Sequence, residues 1–229
     1  MAKIEITKMC GLTVCMERPD KTEPGKRYPA ILFLHGAGTR GNPKALPNCQ
    51  ILTPDCGAAA RKGMDFLVFV PLVPGENEDW NLYMQNLCAL CKTILTRDDV
   101  DPERLSLTGN SMGGYAAWEL AMLHPEYFNC VAPLCGGGMA WNAKRLEHLP
   151  VWAFHGAADK TVSCRESEAM VEAVNKRGGN ARLTLYEGVP HDCWTVTYSR
   201  RDLYEWMLTC RNGGNADYAN EFNSAKDFG

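Results

Sequence analysis

No apolar run in the 229 residues approaches the ~18 that cross a bilayer, so no transmembrane helix is expected. The amino terminus, MAKIEITKMCGLTVCMERPD, alternates apolar and polar residues and has no apolar core of the signal-peptide kind; it reads as a strand pair. An excess of one charge is missing too. The 24 Lys and Arg and 27 Asp and Glu are interleaved and leave a net charge of -3, with no basic stripe of the kind that holds phosphate backbones. Neither nucleic acid nor a membrane is an expected partner, and the oligomeric state is left open. Internal repeats, Gly/Ser-rich linkers and the composition of disordered, collagen-like or coiled-coil chains are absent. One domain is expected over residues 1–211, then a polar tail without periodicity over 212–229.

Cysteine is abundant, at 11. The number is odd, the chain is far longer than a stapled mini-domain, and no leader is visible, so a reduced cytoplasmic protein is expected and not a disulfide scaffold. Cys88 and Cys91 form the only CxxC pair. Structural zinc needs a second pair or spaced histidines, and the pair lies in LCALCK within a helical pattern over 81–96, so both read as core thiols. No metal and no cofactor is expected.

Short apolar runs at 30–34, 66–71, 105–108, 131–134, 151–154 and 183–186 suit strands buried on both faces of a parallel sheet. Helical patterns over 81–96, 113–123, 163–177 and 199–210 alternate with them. The expected fold is therefore α/β: a mostly parallel twisted sheet with helices on both faces and an antiparallel amino-terminal edge from residues 3–18. Ser163, with Glu166 three residues on, predicts a capping box, and Gly178-Gly179 predicts the end of the same helix.

Against this frame, LTGNSMGGY (107–115) carries G-x-S-x-G between a strand and a helix. That setting turns a weak pattern into a specific one, because a strained strand-to-helix turn presents a serine hydroxyl and the glycines let neighbouring backbone pass. A phosphate loop would need Gly-Lys-Ser/Thr and a dinucleotide fold G-x-G-x-x-G after the first strand; neither occurs. A serine nucleophile needs a base oriented by a third group. His191, on a loop after the last predicted strand, is the expected base, and Asp159, four residues past VWAFH, the expected acid. Asp192 is the rival acid, but it would break the order Ser, acid, His. Among the remaining histidines, His124 reads as a helix-end residue, His148 as solvated, and His35 and His155 as packing or loop-positioning residues. The oxyanion needs backbone donors, for which position nominates the amides of Met112 and of Ala37 in LHGAG. His35, Trp80, Trp141 and Trp194 are further candidates for contact with substrate.

LHGAG with TRGN, DPERLSLTGNSMGGYAAWELAMLHPEYF, PLCGGG, LPVWAFHGAADKTV and YEGVPHDCWTVTY together resemble the α/β-hydrolase superfamily. Within it they are similar to the esterase and peptidase group related to phospholipase/carboxylesterase, dienelactone hydrolase and feruloyl or acetyl-xylan esterases, over roughly residues 28–210. The resemblance implies Ser111 as nucleophile, Asp159 as acid and His191 as base, and ester hydrolysis through an acyl-enzyme without metal or cofactor. A carbohydrate esterase of the feruloyl or acetyl-xylan type, or a peptidase or thioesterase, would use the same triad, and a non-catalytic binding module would share only the fold. Many carbohydrate-esterase relatives are secreted, and no signal is visible in this chain. Only MAWNAKRLEHLP lies between Gly138 and Val151, so little or no lid is expected and small or soluble acyl esters are favoured as substrates.

Overall fold

The computed structural model describes residues 3–212, so the tail expected over 212–229 lies, apart from Asn212, outside the described residues. The chain opens with a hairpin of β1 (Lys3–Met9) and β2 (Leu12–Arg18), paired antiparallel from Lys3 opposite Arg18 to Met9 opposite Leu12. Its turn residues Cys10 and Gly11 both have positive φ, 49° and 80°, which matches the twist of a two-residue hairpin connection. Six parallel strands follow: β3 (Tyr28–Leu34), β4 (Leu67–Pro71), β5 (Val100–Asn110), β6 (Cys130–Leu134), β7 (Val151–Gly156) and β8 (Ala181–Tyr186). The eight form one sheet in the order β1-β2-β4-β3-β5-β6-β7-β8, with β2 antiparallel to β4.

β3, β4, β6, β7 and the 105–110 half of β5 are buried on both faces, whereas β8 at the edge is half-exposed, and the alternation along the buried strands sorts two cores. Ala30, Leu32 and Leu34 of β3 join Leu67 and Phe69 of β4 on the face covered by α2 (Met84–Leu95), α3 (Met112–Leu123) and α4 (Arg165–Lys176). Ile31, Phe33, Val68 and Val70 point the other way, toward α1 (Gly57–Ala60), α5 (Trp194–Tyr198) and α6 (Arg201–Thr209). Each fully buried large side chain contributes about 1.5–3 kcal/mol. Among the buried polar groups, Thr108 Oγ1 donates to Ala132 O at 2.6 Å, and the Asn129 amide donates to Met207 O and Cys210 O, tying the end of α6 to the sheet.

Two local readings change. The pattern over 81–96 begins with a 3-10 turn, Trp80–Tyr83, and becomes α-helical only at Met84. The capping box at Ser163 does not form. Cys164 is the residue before α4, Ser163 Oγ receives only a long 3.4 Å contact from Arg165 N, and the Glu166 carboxylate lies against Gly137 instead of reaching back. The helix does stop at the glycines, with Gly178 at φ +85° and Gly179 N bonded to Val174 O. Residues 140–146 form 3-10 turns that bury Ala143 and Leu146 against α3 and α4, so this segment does not roof the carboxyl edge of the sheet. No helix among the described residues is long and apolar enough to cross a membrane.

Candidate active site

β5 delivers Ser111 to its carboxyl end in an unusual conformation, φ 56° and ψ −120°. A non-glycine residue there costs about 1–3 kcal/mol and persists only when its surroundings hold it. Ser111 N donates to Leu134 O at 3.0 Å, while Gly114 N and Tyr115 N donate to Ser111 O at 2.8 and 3.0 Å. The close approach depends on Gly113, where a methyl would overlap the Leu34 carbonyl.

The turn aims Ser111 Oγ at His191 Nε2, 2.9 Å away, and His191 Nδ1 lies 2.6 Å from Asp159 Oδ2. The three residues follow β5, β7 and β8, so three strand ends of one sheet hold them. Gly156 permits this meeting, because a side chain there would collide with the Val189 and Pro190 carbonyls of the histidine loop. Asp159 Oδ1 accepts from Thr161 N and Val162 N at 2.8 and 2.9 Å. Burial alone would raise the Asp159 pKa. The hydrogen bonds from His191, Val162 and Thr161 and the nearby imidazole outweigh it and hold the carboxyl below its ordinary value.

A cleft of about 450 Å³ opens over Ser111, with Ala37, Thr39, Gln50, Asn110, Thr161 and Trp194 among its walls. Ala37 lines the same cleft as Ser111. The amide of Met112, first residue of α3, has no intrahelical acceptor and sits at the positive end of the helix dipole. Trp194 packs edge-on to the His191 ring, centroids 5.3 Å apart at 90°.

His35 touches the cleft floor but is 1% exposed with both ring nitrogens engaged. Val73 N donates to its Nε2 at 3.1 Å, which leaves Nδ1 to carry the proton and donate to Gly36 O at 2.8 Å. Its position is therefore that of a clamp on the 36–39 loop, not of a group free for substrate. Burial, with a smaller push from Arg40, drives its pKa down to about 4 against the opposing Gly36 bond. Trp80 is also removed from substrate, at 1% exposure, with its ring against His35 and its N–H given to His35 O at 3.0 Å. Trp141 is 73% exposed and its carbonyl accepts from Arg177 at the far end of α4, outside the cleft walls. Of the four suggested contacts only Trp194 has a free face on the cleft.

Asp192 turns away from His191 and closes the first turn of α5 by accepting from Thr195 N at 3.1 Å. His124 ends α3 and pairs with Glu126, His148 is exposed, and His155 lies fully buried behind Asp159. Gln50 and Asn110 carried no sequence signal as cleft residues. Gln50 arrives on the long 35–66 connection, whose short turns have no periodicity. Asn110 was marked only by preceding the serine. Among the described residues no group of three or more His, Cys, Asp or Glu is disposed to hold a metal ion.

Comparison with known proteins follows the same lines. The fold is similar to that of a thermostable esterase, with TM-score 0.77 and 28% identity over 92% of this chain; the chain spans 63% of that protein. It is also similar to Est1E from Butyrivibrio proteoclasticus, at TM-score 0.64 and 13% identity over 90% of this chain and 98% of that one. A feruloyl esterase module from Clostridium thermocellum in complex with sinapinate aligns at TM-score 0.66 and 16% identity over 87% of each. A stretch of 68 residues, 28% of this chain, is 35% identical to the non-reducing polyketide synthase Preu3 of Preussia isomera, covering 3% of that protein. The model of the dienelactone hydrolase family matches residues 76–202, which contain Ser111, Asp159 and His191. With more than half its length matched, the chain belongs to the dienelactone hydrolase family.

Proposed function

We propose that this protein is a serine hydrolase that cleaves carboxylic esters of small or soluble acyl groups, working as the single domain of residues 1–211. One observation carries the reading: the unbroken contact chain from Ser111 Oγ through His191 to Asp159, at 2.9 and 2.6 Å. Oγ attacks the ester carbonyl as His191 Nε2 takes its proton, and the amides of Ala37 and Met112 receive the developing oxyanion. His191 returns the proton to the leaving alcohol. Water then enters by the same route and releases the acid. Asp159 holds Nδ1–H and stabilises the imidazolium. The cleft, whose walls include no residue of the 140–146 segment, supports substrates that approach from solution. A reducing, cytoplasmic setting suits the chain, since all eleven cysteines are unpaired.

The test is a fluorophosphonate probe followed by a substrate panel. Wild-type protein labels at Ser111 and Ser111→Ala does not; labelling that survives the substitution defeats the nucleophile assignment. Aryl esters of acetate, butyrate, octanoate and ferulate, beside an aminopeptidase substrate, then rank the leaving group and acyl chain. Turnover of the short esters above the others is the expected order, and peptide cleavage without ester cleavage would overturn the reading.

A further inference from the structure

Asp159 has a neighbour that a Ser-His-Asp relay does not require. The Oδ2 atom facing His191 also lies 3.2 Å from Nε2 of His155, the penultimate residue of β7, and both side chains are fully buried. His155 Nε2 lies 3.0 Å from Val162 O as well, and its Nδ1 is 2.8 Å from Ser167 Oγ on α4. Ser167, itself buried, reaches Gly136 O at 2.9 Å.

Counting protons restricts the ring. Val162 O and the Asp159 carboxylate accept only, so a bare Nε2 would press its lone pair against two oxygens in a site closed to water. Nε2 therefore carries a hydrogen. Nδ1 then either accepts the Ser167 hydroxyl proton, giving a neutral ring, or donates to Ser167 Oγ, which passes its own proton to Gly136 O. In both arrangements the Nε2–H is given to Val162 O at 3.0 Å, with Asp159 Oδ2 beside it at 3.2 Å from the same nitrogen.

We infer that His155 is a positioning residue for this site: with the ring held by Ser167, its Nε2–H is shared between the Val162 carbonyl and Asp159 Oδ2, and so adds a second imidazole contact to the acid. It fixes the carboxylate plane opposite His191 and takes up part of its charge. The inference rests on the reading of Asp159 as the acid of His191. With part of its charge engaged by His155, Asp159 holds the imidazolium of His191 less tightly, so removing His155 leaves His191 protonated to higher pH. The other groups facing Asp159 do not supply this effect. Cys135, at the end of β6, is held as a neutral thiol by its contact with Cys193 and by burial, and burial likewise keeps Tyr115 of α3 a neutral phenol. Glu166 of α4 faces Tyr115, and Lys160 is exposed on the acid loop.

Two measurements decide. In ¹⁵N-histidine-labelled wild-type protein, NMR should find His155 protonated at Nε2, and an unprotonated Nε2 overturns the inference whatever the activity. The acid limb of log kcat/KM against pH should move up by about one pH unit in His155→Leu. In His155→Gln, whose amide reaches as far as Nε2, it should return most of the way. A limb unmoved in His155→Leu, or moved equally in both variants, also overturns it. If the leucine variant does not fold, the wild-type spectrum still decides. Labelling that survives Ser111→Ala would instead sink the functional reading and leave the spectrum as the judge of His155.

Discussion

At the scale of residues, neighbours in sequence separate and strangers meet. Asp192 is adjacent to His191 yet faces α5, while Asp159 comes from 32 residues away to lie 2.6 Å from the ring. Asp159→Asn should lower kcat by about 10³–10⁴-fold, since the amide no longer fixes the tautomer of the base. Asp192→Asn should leave kcat within a few-fold and cost at most about 1 kcal/mol for the turn it closes; steady-state rates and urea melts separate the two. The tryptophans divide similarly. Trp194→Ala, which opens the cleft wall beside His191, should raise KM, whereas Trp141→Ala should leave kcat/KM unchanged, as its ring stands in solvent. Either result reversed would relocate the substrate.

At the scale of elements, the strand ends and the turns between them decide which substitutions the fold tolerates. Gly113→Ala drives a methyl into the Leu34 carbonyl at the joint of β3, β5 and α3, and should cost at least about 3 kcal/mol in urea unfolding. Gly38→Ala, on the loop facing the serine, meets nothing within 4 Å and has no positive φ, so it should change stability by less than about 0.5 kcal/mol. These same elements show what was legible in the sequence. The inner parallel strands announced themselves, because burial on both faces forces continuous apolar runs such as AILFL and LVFVP, and the turn at Ser111 was marked by its glycines. The capping box at Ser163 was misread because the pattern does not reveal that Glu166 is drawn to the Gly137 turn by tertiary contact. Trp80 was misplaced for a related reason: its loop position signals exposure, but His35 supplies an acceptor that lets the indole sink into the core. His155, four residues before Asp159, was legible as a loop-positioning residue, but its second partner, Ser167, comes from α4, which no local spacing encodes.

At the scale of the whole molecule, two global responses follow. His35 is held near 4, so below about 6.5 the unfolded chain binds a proton that the folded chain refuses. Its contribution is complete above that pH and is lost as the pH falls toward 4, a decline of about 3 kcal/mol. Asp159 acts further down, since its depressed carboxyl stabilises the fold above its ordinary value and loses that effect as it protonates. Urea midpoints between pH 7 and 4 should trace the first decline, and His35→Gln, with an oxygen to accept from Val73 N, should flatten it. The thiols should also sort by depth. In native protein, iodoacetamide should reach the half-buried Cys10, Cys88 and Cys164 first, and the other eight only on unfolding, as burial pushes Cys15 to about 11 and Cys49 to about 12; peptide mass mapping reads the order. A last consequence lies in how the cleft is built. The proposed triad stands on three strand ends of a single sheet, while Gln50, another wall of the cleft, rides on the 35–66 connection, which carries none of the three. Inheritance can therefore act on the two separately: insertions and deletions in that connection beyond residue 39 would change what is bound and leave the proposed route of the proton and the Ala37 amide intact, so specificity can diversify around one chemistry.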